Sequence, residues 1–208
     1  MIYFVQSLGN LQNLQALDLF QNEIGDCMVQ LAPELGKLVN LKSLNLASNQ
    51  IGEHVVQLKP AFEKLVNLQT LNLAYNQIGA HVVELALALG ELTNLKTLNL
   101  SYNQIGPHMD KLAPALEKLK NLKSLDLSGN QIGKHVEKLA QAFGQHVNLQ
   151  TLYLTNNKIK SGNMDALVQA LEQLVNLDVL EFCDDDVQGA FLCRALDNLE
   201  KFPNLHWY

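Results

Sequence analysis

The sequence lacks the features that mark membrane, secreted and nucleic-acid-binding proteins. Its 208 residues contain three cysteines and 15 Lys+Arg, of which Arg194 is the only arginine. An odd number of cysteines with no Cys-x-x-Cys pair argues against a disulfide framework or structural zinc, and favours a reducing, intracellular compartment. No apolar run approaches the ~20 residues of a membrane span, and the N-terminus shows no secretory signal. A net charge of −6 offers no basic surface for nucleic acid.

Motifs of the common enzyme classes are also missing. The sequence has no Gly-x-Ser-x-Gly, no phosphate loop, no His-Glu-x-x-His and no Gly-x-Gly-x-x-Gly after a strand. No titratable pair stands apart from the repeated positions described below. We therefore predict a protein that is not an enzyme and that takes no cofactor and no metal.

A repeat dominates what is present. The chain contains 42 leucines and 21 asparagines, a bias that average domains do not show. Alignment of the chain on itself gives a period of 27 residues, in which each unit opens the pattern Leu-x-x-Leu-x-Leu-x-x-Asn-x-Ile. The first leucines of the units are Leu14, Leu41, Leu68, Leu95, Leu122, Leu149 and, after 28 residues, Leu177. The seventh unit is degenerate, with Asp185 in place of the asparagine.

The second half of each unit has helical spacing. In the second unit, Val55, Leu58, Phe62 and Leu65 recur at steps of three and four residues. Alternation in Leu44-Asn45-Leu46 predicts a short strand that turns its leucines inward. One strand and one helix cannot bury their own apolar faces, so the units must stack.

This unit resembles the leucine-rich repeat, in its ribonuclease-inhibitor-like branch, over essentially the whole chain. The resemblance implies an α/β fold, a right-handed horseshoe solenoid of about seven repeats with a parallel concave β-sheet and convex helices. It divides a single domain, 1–208, into an N-terminal half-repeat or cap (1–13), six repeats (14–176), and a degenerate last repeat with a C-terminal cap (177–208). An eighth strand is expected to start at Asn204.

The same resemblance implies a function. It predicts a non-catalytic, monomeric scaffold that binds another protein through its concave face, and neither nucleic acid nor membrane. The near-identical, Asn- and Gln-rich repeats are similar to those of bacterial effectors that act inside host cells. The alternatives are a regulator of a small GTPase and a fragment of a larger repeat receptor.

Several repeated columns have a structural interpretation. The motif asparagines are expected to satisfy the buried backbone of the turn that follows each strand; they are Asn22, Asn49, Asn76, Asn103, Asn130 and Asn157. A second column, from Asn13 and Asn40 to Asn176, follows each helix, where left-handed backbone is expected. Pro33, Pro60 and Pro114 share one column and are expected in the first turn of a helix, which should begin near Val56 in the second repeat.

Histidine occupies one repeated column and one exceptional position. His54, His81, His108 and His135 are expected in the turn before each helix, as an outer row that either covers the turn or acts as a metal row or pH sensor. If they are protonated near helix N-termini, stability should fall below about pH 6. His146 stands where other repeats have leucine, and is expected to be either a core residue with a backbone partner or a local weak point, the former being favoured.

The predicted contact residues are those that repeat copying does not explain. Three columns flank the inward leucines, and their small polar side chains predict a flat, wet contact surface. Against that background Phe20, Tyr75, Tyr102 and Tyr153 are aromatic groups of the kind enriched at interfaces, and we add Asp126 to this predicted partner-binding set. The alternative is that exposed tyrosines merely cover strand ends. Glu181 and Asp184 to Asp186 form an acidic run, which is interpreted as a solvated turn, with steering of a basic partner or weak binding of a hard cation as the alternatives.

Overall fold

Short strands alternate with helices along the whole described chain. The computed structural model describes residues 2–143, 146–182 and 206–207. The strands are β1 (Ala16–Asp18), β2 (Ser43–Asn45), β3 (Thr70–Asn72), β4 (Thr97–Asn99), β5 (Ser124–Asp126), β6 (Thr151–Tyr153), β7 (Val179–Glu181) and β8 (His206–Trp207). The helices are α1 (Ile2–Leu8), α2 (Met28–Leu35), α3 (Lys59–Phe62), α4 (Val82–Leu89), α5 (Met109–Leu116), α6 (Val136–Phe143) and α7 (Met164–Leu171). Segments of 3-10 helix precede α2 to α7, at Gly25–Cys27, Gly52–Leu58, Gly79–His81, Gly106–His108, Gly133–His135 and Ser161–Asn163.

The strands form one open parallel sheet in chain order, from β1 to β8. Equivalent repeat positions pair, as in Leu44 with Leu71 and Asn45 with Asn72. Successive helices pack side by side along the other layer. This is the predicted α/β solenoid of leucine-rich repeats, and the expected eighth strand is present as β8.

The core runs continuously between the sheet and the helices. Leu44, Leu46 and Ile51 of the second repeat are fully buried, as are Leu58 and Phe62 from its helical segment. Each such side chain contributes about 1.5–3 kcal/mol on burial. Neighbouring repeats pack against these side chains on both sides. The solenoid is therefore stabilised by the contacts between repeats.

The motif asparagines form a hydrogen-bonded ladder, as predicted. Asn103 is fully buried, and its Nδ2 donates to the carbonyls of Leu73, Leu100 and Ser101 at 2.9, 3.0 and 3.1 Å. Its Oδ1 accepts from the backbone N–H of Asn76 at 2.9 Å. From Asn49 to Asn157, each ladder residue ties its own turn to the turn of the preceding repeat, whereas Asn22 in the first repeat is exposed and donates to the Phe20 carbonyl of its own turn.

The second asparagine column works differently from the prediction. Its described members are absent from the residues with positive φ, so left-handed backbone is not what selects asparagine there. Instead Asn67 Nδ2 donates to the Val39 carbonyl at 2.9 Å and Asn94 Nδ2 to the Val66 carbonyl at 2.8 Å. This column is a second, exposed ladder between repeats.

The proline prediction holds in only one of three repeats. Pro60 lies in the first turn of α3, which begins at Lys59, three residues after the expected start. Pro33 and Pro114 lie inside α2 and α5, so the expectation of a first-turn position is wrong for them. The carbonyls that lose a donor belong to Val29 and Asp110, which are exposed residues where water can replace it.

His146 is a core residue, as predicted, but its hydrogen bonding is poor. The side chain is fully buried, and within the described chain neither ring nitrogen has a hydrogen-bond partner. Burial lowers the pKa of His146, and the Leu116 carbonyl opposes this only in part. Because the unfolded chain binds the proton more readily, the free energy of unfolding falls as pH drops below the ordinary histidine pKa of about 6.5.

Candidate concave-face binding site

Two columns, rather than the three predicted, form the concave surface. The first and third residues of the strands from β2 to β7 are partly exposed on the face away from the core. The third predicted column is largely buried, since Ala47, Ala74, Ser101 and Ser128 are between 3% and 7% exposed. In these four repeats the turn folds inward immediately afterwards, whereas at the two ends of the same column Phe20 is 51% exposed and Thr155 is partly exposed. The concave face consists of the remaining two columns.

A pair of stacked tyrosines borders this face. Tyr75 and Tyr102 follow β3 and β4 by three residues, at the left-handed position of the turn, with φ of 56° and 55°. Their rings are parallel within 9°, with centroids 4.4 Å apart. Even so, Tyr75 is 52% exposed and Tyr102 37%. The pair is an exposed aromatic surface at the carboxyl ends of the strands.

Two further residues fix the direction of the Tyr102 ring. Gly129 takes the same turn position in the next repeat, with φ of 66°, and a Cβ there would lie 2.5 Å from Tyr102 Cδ1. One repeat further, Asn156 Nδ2 donates to the Tyr102 hydroxyl at 3.1 Å. The ring therefore lies across the glycine and reaches two repeats along the solenoid. The sequence analysis identified neither Gly129 nor Asn156. The available signal was a glycine at the turn position that holds Tyr102 in the preceding repeat.

Carboxylates surround the third tyrosine. Sheet register places Asp126 beside Tyr153, and Tyr153 beside Glu181. Burial, followed by the charges of Glu181 and Asp126, raises the pKa of Tyr153. Burial, Tyr102 and Asp126 raise the pKa of Tyr75. The sheet thus brings Tyr75, Tyr102, Asp126 and Tyr153 into one surface, and adds Glu181.

Phe20 lies apart from this surface. It follows β1, where it is 51% exposed, and its backbone N–H donates to Asp18 Oδ1 at 2.8 Å. The Tyr75–Tyr102 pair begins two repeats further along the sheet. Of the acidic run, Glu181 belongs to the concave face, whereas Asp184, Asp185 and Asp186 lie outside the described residues.

The histidine column lies where the sequence predicts, in the 3-10 turns before the helices. His81 and His108 are the residues immediately before α4 and α5, and His54 Nε2 lies 3.7 Å from Asp26 Oδ1. Across the described ranges, no three His, Cys, Asp or Glu side chains lie together in a way that could hold a metal ion.

Comparison with known families agrees with this architecture. The family described as "Leucine-rich repeat region" matches residues 26–206, and one described as "Leucine Rich repeat" matches residues 10–26. The chain belongs to the leucine-rich repeat family. No curated protein matches this leucine-rich repeat chain.

Solved structures of other leucine-rich repeat proteins are similar. LegL7 from Legionella pneumophila is 18% identical, with 98% of this chain and 85% of that chain covered and a TM-score of 0.47. A leucine-rich repeat protein of Leptospira interrogans is 22% identical, with 97% and 74% covered and a TM-score of 0.41. In the part of the chain that the structure describes, no helix has the length and apolar character needed to cross a bilayer.

Proposed function

We propose that this leucine-rich repeat protein is a non-catalytic, monomeric scaffold that binds a partner protein through its concave face and the tyrosine edge beside it. Tyr75, Tyr102, Asp126 and Tyr153 form the centre of the contact, and Phe20 extends it toward the first repeat. The partner is another protein, and neither nucleic acid nor a membrane is required. Family membership supports an interaction scaffold, since solenoids offer extended concave surfaces for binding.

The observation that carries the proposal is the unfavourable backbone of the exposed tyrosine pair. A bulky residue with positive φ is strained, by about 1–2 kcal/mol. The same turn position has positive φ in the neighbouring repeats, where it holds Gln21 and Ser48 before the pair and Gly129 and Asn156 after it, so the turn itself does not require an aromatic residue. Aromatic stacking returns about 0.5–1.5 kcal/mol. The pair therefore adds little to folding, whereas its large exposed rings suit an interface.

Capture from cell lysate tests this function. Wild-type protein is compared with a Tyr75→Ala, Tyr102→Ala, Tyr153→Ala variant of confirmed fold. A matched control, Val56→Ala, Leu87→Ala, Val175→Ala, removes exposed apolar groups from outside the concave face. A protein that is retained by the control and lost by the tyrosine variant supports the proposal. Equal retention by all three contradicts it.

The finer hypotheses stay predictions. An effector that acts inside a host cell rests on the resemblance of its repeats, and is tested by delivery of a tagged chain from a bacterial donor. A GTPase regulator would have to order or complement a catalytic site, and Arg194 lies outside the described residues. A GTP-hydrolysis assay separates a GTPase regulator from a scaffold, because binding of the GTPase without a change in its hydrolysis rate favours the scaffold.

A further inference from the structure

The concave face carries negative charge and no positive charge. Its two columns are Ala16, Ser43, Thr70, Thr97, Ser124, Thr151 and Val179, and Asp18, Asn45, Asn72, Asn99, Asp126, Tyr153 and Glu181. Neither column contains a lysine or an arginine. The lysines of the fifth and sixth repeats lie outside the strands, such as Lys123 before β5 and Lys158 in the turn after β6.

Two of the three acids flank a tyrosine ring. Adjacent parallel strands are about 4.8 Å apart, so the backbones that carry Asp126 and Glu181 are separated by roughly 10 Å, with Tyr153 between them. Among the described residues, neither carboxylate has a cation within ion-pair distance. Within the described part of the chain, Asp126 accepts one hydrogen bond, from the Ser128 backbone N–H to Oδ1 at 2.9 Å, which leaves acceptor positions on the carboxylate for a ligand.

This arrangement has the chemistry of a cation-binding surface. A guanidinium or ammonium group is attracted to a tyrosine face and to carboxylates together. Arginine suits the row best, because its planar fork can stack on the ring while it donates to acids on both sides.

We infer that Asp126, Tyr153 and Glu181 bind an arginine or lysine side chain of the partner protein, and that the partner presents a basic segment to the concave face. The inference rests on the proposed function and adds the chemistry of the partner. Complementary charge would speed association and make it sensitive to salt.

The neighbouring repeats show that asparagine is tolerated at the position of Asp126. Asn45, Asn72 and Asn99 occupy the Asp126 position in repeats two to four and accept the equivalent backbone hydrogen bond at 2.8–3.1 Å. Asp126→Asn therefore removes charge and keeps the local structure. Asp18→Asn is the matched control: Asp18 accepts the same bond from Phe20, but lies four strands away, at roughly 19 Å.

The experiment selects linear peptides from a random displayed library on wild-type protein, and measures affinities of the enriched peptides by fluorescence anisotropy. We expect the selected peptides to be enriched in arginine and lysine. They should bind at least about tenfold more weakly to the double variant Asp126→Asn, Glu181→Gln than to wild type. Their affinity for Asp18→Asn should stay within about twofold of wild type. Raised salt should weaken the wild-type complex more than the double variant.

Either of two kinds of result would overturn the inference, one from the peptide selection and one from the variants. One is enriched peptides with arginine and lysine at library frequency. The other is a double variant that binds as tightly as wild type, or a control that loses as much affinity as the double variant. If in those cases Tyr75→Ala, Tyr102→Ala, Tyr153→Ala still abolishes binding, the proposed function stands and only the partner chemistry is wrong. If no peptide binds the concave face, both fail.

Discussion

Replacement of Asn103 by alanine should destabilise the solenoid more than any surface change. The side chain makes five hydrogen bonds with buried backbone: three donated to carbonyls at 2.9–3.1 Å, and two accepted from Asn76 and Ile78 at 2.9 and 3.4 Å. The two hydrogens of Nδ2 are shared among three carbonyls, so at about 1 kcal/mol per full bond the loss reaches about 4 kcal/mol. Water that enters the vacated space recovers part of it, so we expect a loss of about 2–4 kcal/mol.

The chain provides its own control at Asn22. This member of the same column is exposed, and its side chain donates one bond, to the Phe20 carbonyl at 2.9 Å. The backbone N–H of Asn22, which donates to Asn49, survives substitution. Asn22→Ala should therefore lose about 1 kcal/mol or less.

Urea denaturation followed by circular dichroism measures both variants, with hydrogen exchange to localise the change. Protection should fall first in the turns on either side of position 103. The reasoning is refuted if Asn103→Ala loses less than about 1 kcal/mol, or if the two variants lose equally.

Three further outcomes follow from the same structure. His146→Leu should raise the free energy of unfolding by about 1–3 kcal/mol at pH 7, because it removes two buried nitrogens that lack well-formed hydrogen bonds. It should also reduce the loss of stability between pH 7 and pH 5. An unchanged pH profile in chemical denaturation would contradict a poorly hydrogen-bonded core imidazole. Tyr75→Asn should leave stability within about 1 kcal/mol of wild type in thermal melts, because relief of the positive φ offsets the lost stacking; a large destabilisation would assign Tyr75 to folding. Gly129→Ala should displace the Tyr102 ring, which near-ultraviolet circular dichroism detects, and lose about 1–2 kcal/mol through its positive φ; an unchanged tyrosine signal would show that the ring does not lie on the glycine.

Repetition in the sequence explains why the fold was predictable. A period of 27 residues fixes which leucines face the core, and the parallel register then follows because equivalent positions pair. The ladder role of Asn103 could be inferred because a buried turn needs both donors and acceptors. The role of Asn67 could not be inferred, because asparagine both tolerates left-handed backbone and can donate a hydrogen bond to a carbonyl of the preceding repeat.

Contacts between unlike residues were harder to foresee. Burial of Ser101 and Ser128 depends on how sharply the turn bends, which strand periodicity does not express. The link from Tyr102 over Gly129 to Asn156 spans two repeats and uses three different residue types. The poor hydrogen-bond geometry of His146 depends on the packing around one substituted position, which the repeat pattern does not express.

The most direct test of partner binding by the concave face is photo-cross-linking. A photoreactive phenylalanine analogue is placed at Asn99 on the face, or at Val56 in the helical layer, and irradiated in cell lysate. We predict an adduct with a discrete protein from position 99 and none of that mass from position 56. An adduct formed only or equally from position 56 would contradict the concave-face account.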